Sequence, residues 1–475
     1  MVPVKTAIKI PEYLKPWEKV LDIKEVEFDL PQEEISIVSA LEKITGKPLA
    51  NIEKGTIHAS ACTDTADCPE LHAFETLFGR DSLITALDLK DIFPGLLKNT
   101  VLTLARYQGE KHDLFSEEEP GKMVHEVRRG DDPIAQRITK ESRWQWPYYG
   151  SLDATLLYLL AIIDIVKKDP KFLYAEFKSK GGKTRTMRDS YISALEFILK
   201  KSRENPERLL EYKAGFKGSI ENQVWKDSYD SYHHPDGTLA NHKRGIASIE
   251  VQTLAYDALK ETVSLDTPDN LKRESKELAD NLKGVVLDKF WIEDDRGGYF
   301  ALGADRNNKG ALRPLKIRTS NMGWVLNSGI LDGNSPDIFR KKEQLVKTLF
   351  SEEMLTDGGI RTLSDKEVRY SPGSYHNGSI WLFDNFQIRK GLARQGYTKE
   401  AKEIDKKLKN IYRELRVFPE FIRGNEKIEI NRCVIDVWNE KDSRKNKLER
   451  PPQLIQAWSV SALYAVNSKK ISMVA

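Results

Sequence analysis

The chain has 475 residues, of which 40% are hydrophobic and 31% charged, an ordinary globular balance with enough apolar surface for a large core. Lys and Arg number 75 against 72 Asp and Glu, a net charge of +3 that gives no electrostatic case for nucleic acid or an anionic membrane as partner. The three cysteines, Cys62, Cys68 and Cys433, are too few for a disulfide scaffold and lack zinc spacing, so they read as free thiols.

The first residues, "MVPVKTAIKIPEYLKPWEKV", lack the apolar centre of a secretory signal and are broken by prolines. The longest apolar run, Leu156 to Val166, contains Asp164 and is too short for a bilayer span. The reading is a cytoplasmic protein. "VEFDL" predicts a short strand, and Gln32 to Thr45 has helical spacing. From there amphipathic helices recur: Ser82–Leu89, Leu96–Tyr107, Ser151–Lys168, Met187–Arg203, Ile246–Val263 and Leu271–Phe290. Ser320–Leu331, Asp337–Leu349, Gly378–Arg394, Lys399–Leu415 and Leu454–Val466 follow.

Between these helices, short loops alternate with long ones, the long ones being His112–Tyr149, Asn205–Lys243, Glu293–Thr319, Glu352–Asn377 and Val417–Pro452. Loops of that length in a compact domain are commonly functional. The alternation brings every second loop to one face, as a ring of helical hairpins requires. The expected fold is all-α: an (α/α)6 toroid over residues 59–475, with residues 1–58 as an N-terminal appendage packing on it.

The long loops concentrate aromatic and polar side chains. Trp144, Trp146, Tyr148 and Tyr149 close the first, and Trp225, Tyr229 and Tyr232 sit in the second. Tyr375, Trp381 and Phe383 accompany His376, Asn377 and Asp384, and Trp458 follows the fifth. Taken singly, each ring reads as core filler before ligand platform, and it is their recurrence in the same-side loops that shifts the balance. Rings beside carboxylates, His and Asn suit a sugar, whose C–H faces stack while its hydroxyls hydrogen-bond. In "LFGRDSLITAL", Asp81 reads either as a helix cap or, with Arg80, as a pair that fixes sugar hydroxyls. In "WKDSYD", Asp227 and Asp230 are rival candidates for a catalytic acid, and a solvated loop carboxylate is the plain alternative. His233 and His234 have no third ligand at metal spacing, so no metal or other cofactor is expected.

"LFGRDSLITAL", "PYYGSLDATLLYLL", "NQVWKDSYDSYHHPDG", "GIRTLS", "YSPGSYHNGSIWLFDN", "FPEFIRG" and "PPQLIQAWSVSAL" occur in that order. Together they resemble the amylo-α-1,6-glucosidase domain of glycogen debranching enzymes and its bacterial and archaeal relatives, within the inverting (α/α)6-barrel glycosidases. The resemblance runs from about residue 59 to residue 466. It implies a general acid at Asp227 and a general base at Glu420. It further implies sugar-binding roles for Arg80, Asp81, Tyr375, His376, Asn377, Trp381, Gln456 and Trp458, with Trp225 walling the acid and Asp230 supporting it.

Leu382 and Phe383 stand where many relatives carry Pro and His, and a charged insertion, Glu426 to Arg450, follows the "FPEF" segment. The activity implied is release of glucose from α-linked glucosyl groups, foremost the α-1,6 stubs of a glycogen-type glucan. Hydrolysis of a small α-glycoside, a disaccharide or a glycosylglycerate, is the alternative, and a non-hydrolytic carbohydrate-binding toroid is another. The expected partner is carbohydrate alone, with the oligomeric state left open.

Overall fold

A computed structural model describes residues 36–61, 74–431 and 452–467, together with the backbone strands Ile435–Trp438 and Lys445–Glu449. All three cysteines and the "VEFDL" segment lie outside the described residues.

Twelve α-helices appear among the described residues: α1 (Ile37–Thr45), α2 (Gly79–Asp88), α3 (Pro94–Ala105), α4 (Pro133–Ser142), α5 (Asp153–Lys168) and α6 (Met187–Ser202), then α7 (Ile249–Thr262), α8 (Asp269–Val285), α9 (Pro336–Leu349), α10 (Leu382–Arg394), α11 (Thr398–Leu415) and α12 (Ala457–Asn467). Their ends follow local chemistry. Thr186 and Asp189 form a reciprocal capping box on α6. Ser335 caps α9 ahead of Pro336, a residue suited to the first helical turn.

The helices fall into two kinds. In α11 the buried residues are Ala401, Ile404, Leu408, Ile411 and Leu415, a single stripe at helical spacing. In α5 nearly every residue from Asp153 to Val166 is buried. One-sided helices lie outside and all-round helices inside. The inner set runs α2 against α5, α5 against α7, α7 against the 3₁₀ segment Ser320–Asn327, that segment against α10, α10 against α12, and α12 back against α2. Outside them, α1 packs on α12, α3 on α2 and α5, α6 on α5, α8 on α7, α9 on the 3₁₀ segment, and α11 on α10 and α12.

Three details differ from the sequence reading. The fold is predominantly helical but not free of strands. The long connections contain short antiparallel pairs, among them Trp291–Asp294 with Gly297–Phe300 and Gly303–Arg306 with Leu312–Pro314. The segment expected as the helix Ser320–Leu331 is 3₁₀ instead, and its run of Ser, Asn and Gly is weak in α-helix propensity. The loop His112–Tyr149 contains α4, whose only buried residue is Ala135, so it shows no apolar stripe. Within the charged insertion, the backbone strands Ile435–Trp438 and Lys445–Glu449 pair antiparallel.

Short backbone pairings anchor the entrances of the inner helices. Leu77–Phe78 pairs with Glu126–Val127 just before α2, and Glu126 also bridges to Tyr148 before α5. Ala247–Ser248 pairs with Gly303–Ala304 before α7. Ile380–Trp381 pairs with Phe421–Ile422 before α10, and Ser60 bridges to Gln456 before α12. The first turns of these helices therefore hold fixed positions relative to the long loops.

Candidate active site

Asp81, Asp153, Glu250 and Asp384 all lie in the first turns of inner helices, where the positive end of the helix dipole favours a carboxylate. Asp81 is not the cap of α2: the helix already begins at Gly79, after Phe78. Its Oδ1 accepts from Gln456 Nε2 at 3.0 Å, which joins the start of α2 to the start of α12. Beside it, the buried Arg80 donates from Nε to Asp153 Oδ2 at 2.8 Å. Arg80 Nη1 lies 3.8 Å from Asp227 Oδ2. Its Nη2 is buried with no hydrogen-bond acceptor.

Asp227 sits in a loop, outside any helix, with its side chain 30% exposed. Glu420 is buried. Its Oε1 accepts from the Tyr375 hydroxyl and its Oε2 from the Gln453 backbone N–H at 3.2 Å. These residues are 193 positions apart, yet both act on Asp81. Burial pushes the Asp81 carboxyl up to about 7; Arg80 opposes the rise, while the negative charges of Glu420 and Asp227 add to it. Glu126 shows the same behaviour on the other side. Burial raises it to about 7 against its contact with Arg128, and Asp132 and Asp227 raise it further.

One tripeptide reaches both halves of the site. Tyr375 holds Glu420. His376 Nδ1 accepts the Ser228 backbone N–H at 3.3 Å and lies 2.8 Å from the Ser228 hydroxyl, next to Asp227. Because a backbone N–H can only donate, the hydrogen-bond network assigns the neutral ring its proton on Nε2. Asn377 Nδ2 donates to both the carbonyl and Oδ2 of Asp230, each at 3.0 Å. Burial raises the Asp230 carboxyl, opposed by Arg369 and by this Asn377 hydrogen bond.

The aromatic residues pack behind the carboxylates. Trp225 meets Phe383 edge-on at 5.2 Å and Trp381 at 5.9 Å, and Trp381 stacks on His376 at 5.1 Å. Phe383 stacks on Trp458 at 4.0 Å, so the apolar residue found in place of a polar one fills this wall. Trp225, Trp381 and Trp458 are all buried, but the indole N–H groups of Trp225 and Trp458 have no acceptor. Between Trp225 and Asp227, Lys226 is fully buried and donates to the Thr362 carbonyl at 2.6 Å. Burial lowers it to about 8.

The twelve sequence-predicted site residues thus share one network of contacts and charges at the starts of α2, α10 and α12. Sequence reasoning left out Asp153, Gln453, Ser228 and Glu126. Asp153 carried a readable signal, an acid opening an otherwise apolar helix. The other three act through backbone groups or burial, which no motif displays. The histidine pair goes elsewhere: His233 is buried, and His234 pairs with Asp305 at 3.2 Å. No group of three or more His, Cys, Asp or Glu side chains suited to a metal ion occurs among the described residues. No described helix is long and apolar enough to cross a membrane.

Residues 196–417 match the family described as the mannosylglycerate hydrolase MGH1-like glycoside hydrolase domain. The span includes Asp227 and the Tyr375–Asn377 tripeptide and stops just short of Glu420. No curated protein sequence matches. Among solved structures, a mannosylglycerate hydrolase from Thermus thermophilus in complex with Tris aligns at a TM-score of 0.53 and 12% identity, over 90% of this chain and 98% of that one. The same hydrolase with glucose gives 0.52 and 12% over 90% and 98%. With Tris and D-glycerate it gives 0.52 and 12% over 91% and 99%. At that identity the structural likeness concerns the fold. The family match marks the chain as a glycoside hydrolase. The specific likeness to amylo-α-1,6-glucosidases is not what the comparisons return.

Proposed function

We propose that the chain hydrolyses a small α-linked glycosylglycerate with inversion, at a two-carboxyl site formed by Asp227 and Glu420. The observation that carries this reading is the Tyr375–Asn377 tripeptide, which ties the loops of both carboxyls to one segment. Inversion needs one carboxyl to protonate the leaving oxygen and the other to deprotonate water on the opposite face, roughly 6.5–9.5 Å away. Asp227, the more exposed of the pair, suits the first task. Glu420, oriented by two hydrogen bonds, suits the second. Arg80 sits close to Asp227 but is neutralised first by Asp153, so the acid faces an ion pair and two further carboxyls rather than a free cation.

In this reading, the Arg80–Asp81 pair binds the sugar at the starts of the inner helices, with Gln456 holding Asp81 in place and the buried tryptophans forming the wall behind it. The cyclic order of helix neighbours supports six hairpins closed into an (α/α)6 toroid around that mouth. Residues 59–475 then form the catalytic unit, and the segment before them packs on it through α1. The small-glycoside substrate is favoured over α-1,6 stubs by the match to the mannosylglycerate hydrolase-like domain and by the D-glycerate complex of the Thermus protein.

The test is a hydrolysis screen of α-mannosylglycerate, α-glucosylglycerate, α-disaccharides and a branched limit dextrin, with detection of the released sugar. Turnover of the glycosylglycerates well above the dextrin is the expected result. Preference for the dextrin would overturn the substrate reading and leave the hydrolase intact.

A further inference from the structure

The loop that carries Asp227 continues into a second, unassigned surface. Two residues on, Tyr229 is 50% exposed, and its ring is backed by His242 at 5.1 Å with the planes 19° apart. Asn222 ties the two rings together: its Nδ2 donates to the Tyr229 carbonyl at 3.4 Å, and its Oδ1 lies 3.2 Å from His242 Nε2. Beside them is an open groove of about 460 Å3 between residues 239–243 and the turn of the Gly303–Pro314 hairpin.

The groove rests on a buried clamp. Asp305, with no exposed side-chain surface, accepts from Arg313 Nε at 3.0 Å, Arg313 Nη2 at 2.7 Å and the Asn241 backbone N–H at 2.8 Å. That geometry is set before any ligand arrives, so binding costs little ordering. On the rim, Asn307 uses its Oδ1 for the Lys309 and Ala311 backbone N–H groups, which leaves its amide N–H groups without a described acceptor. The Asn308 carboxamide and the exposed Lys243 ammonium likewise have no partner among the described residues.

We propose that this groove is a leaving-group subsite that takes a further sugar ring, so that the natural substrate extends beyond a single glycosyl unit on glycerate. The inference rests on the proposed function in one respect, Asp227 as the acid. A general acid touches the glycosidic oxygen, so whatever lies past it on the same loop faces the leaving group. The Tyr229 Cα can be no more than about 7.6 Å from that of Asp227, within reach of the ring next to the bond. A three-carbon acid leaves most of the groove unfilled, whereas a sugar ring matches its contents. Tyr229 offers a flat, exposed face for C–H groups, and Asn307, Asn308, Arg313 and Lys243 offer donors to hydroxyl oxygens.

The experiment uses the full chain and two substrates, an α-glycoside of glycerate and one whose leaving group is a hexosylglycerate. In Tyr229→Ala the ratio of kcat/KM for the long substrate over the short one should fall by about three- to tenfold, the factor for one lost aromatic contact. An unchanged ratio overturns the subsite. Should the wild-type chain hydrolyse neither substrate, the glycosylglycerate reading fails by itself. The groove is then decided by calorimetric binding of isomaltotriose to Asp227→Asn. Binding that weakens by the same factor when Tyr229→Ala is added supports it. Absent binding, or binding indifferent to Tyr229, overturns it.

Discussion

In the proposed mechanism, Asp227 and Glu420 are where single atoms matter most. Asp227→Asn and Glu420→Gln should each cost about 10²–10⁴-fold in kcat, the range for removing a general acid or base, while circular dichroism stays unchanged. Full activity in either variant would end the assignment. Asp81 carries a separate, pH-dependent signature. Its folded pKa is raised to about 7 from 3.8, so between those values the folded state keeps a proton that the unfolded state loses. Stability therefore falls as pH rises across that window, and the whole cost is present above pH 7. In Asp81→Asn the drop in Tm between pH 4.5 and 7.5 should be smaller than in the parent protein, by differential scanning calorimetry. The proposed acid and base and the Arg80–Asp81 pair could be picked out because each sits in a short, ordered motif. Gln453 and Ser228 were not, because a backbone N–H that orients a carboxylate or an imidazole can come from any residue type.

At the scale of elements, hydrophobic spacing located the helices that bury a stripe or an entire surface. α5 and α11 could be placed within a few residues. α4 could not, since its stability comes from its Asp132 cap and Pro133 start rather than from a buried face. Capping can be measured directly at α6. Thr186→Ala should lower stability by about 1 kcal/mol in urea denaturation and leave kcat alone, because it removes one partner of the capping box far from the carboxyls. Backbone contact is equally specific where the loops of the site meet. A side chain on Gly424 would place its Cβ 1.6 Å from the Gly378 carbonyl oxygen, in the segment that joins the base loop to the tripeptide. Gly424→Ala should depress kcat/KM through displaced loops, with a helical circular dichroism spectrum close to that of the parent.

The whole molecule depends on joining its first inner helix to its last two. Asp88, at the end of α2, accepts from Lys390 at 2.7 Å and Gln387 at 3.3 Å on α10, and from Ser461 at 3.2 Å on α12. Asp88→Ala should cost about 2 kcal/mol in chemical denaturation, with Lys390, partly exposed, recovering some hydration. The proposed two-carboxyl mechanism also makes a stereochemical commitment: proton NMR of the sugar first released from an α-linked substrate should show the β anomer. Early α anomer would exclude inversion.

By itself the sequence determined the helical class and the approximate span of most helices, and it singled out the two carboxyls proposed as acid and base, because periodicity and short motifs are local properties of a chain. Only the tertiary structure decided that Asp81 lies within the field of both carboxyls, that three consecutive residues bind the loops of both, and that Trp225, Trp381 and Trp458 build a buried wall rather than an exposed platform. Those outcomes depend on burial and on contacts between residues far apart in the chain, such as Gln456 with Asp81, 375 positions away, and neither burial nor proximity is written in the order of residues.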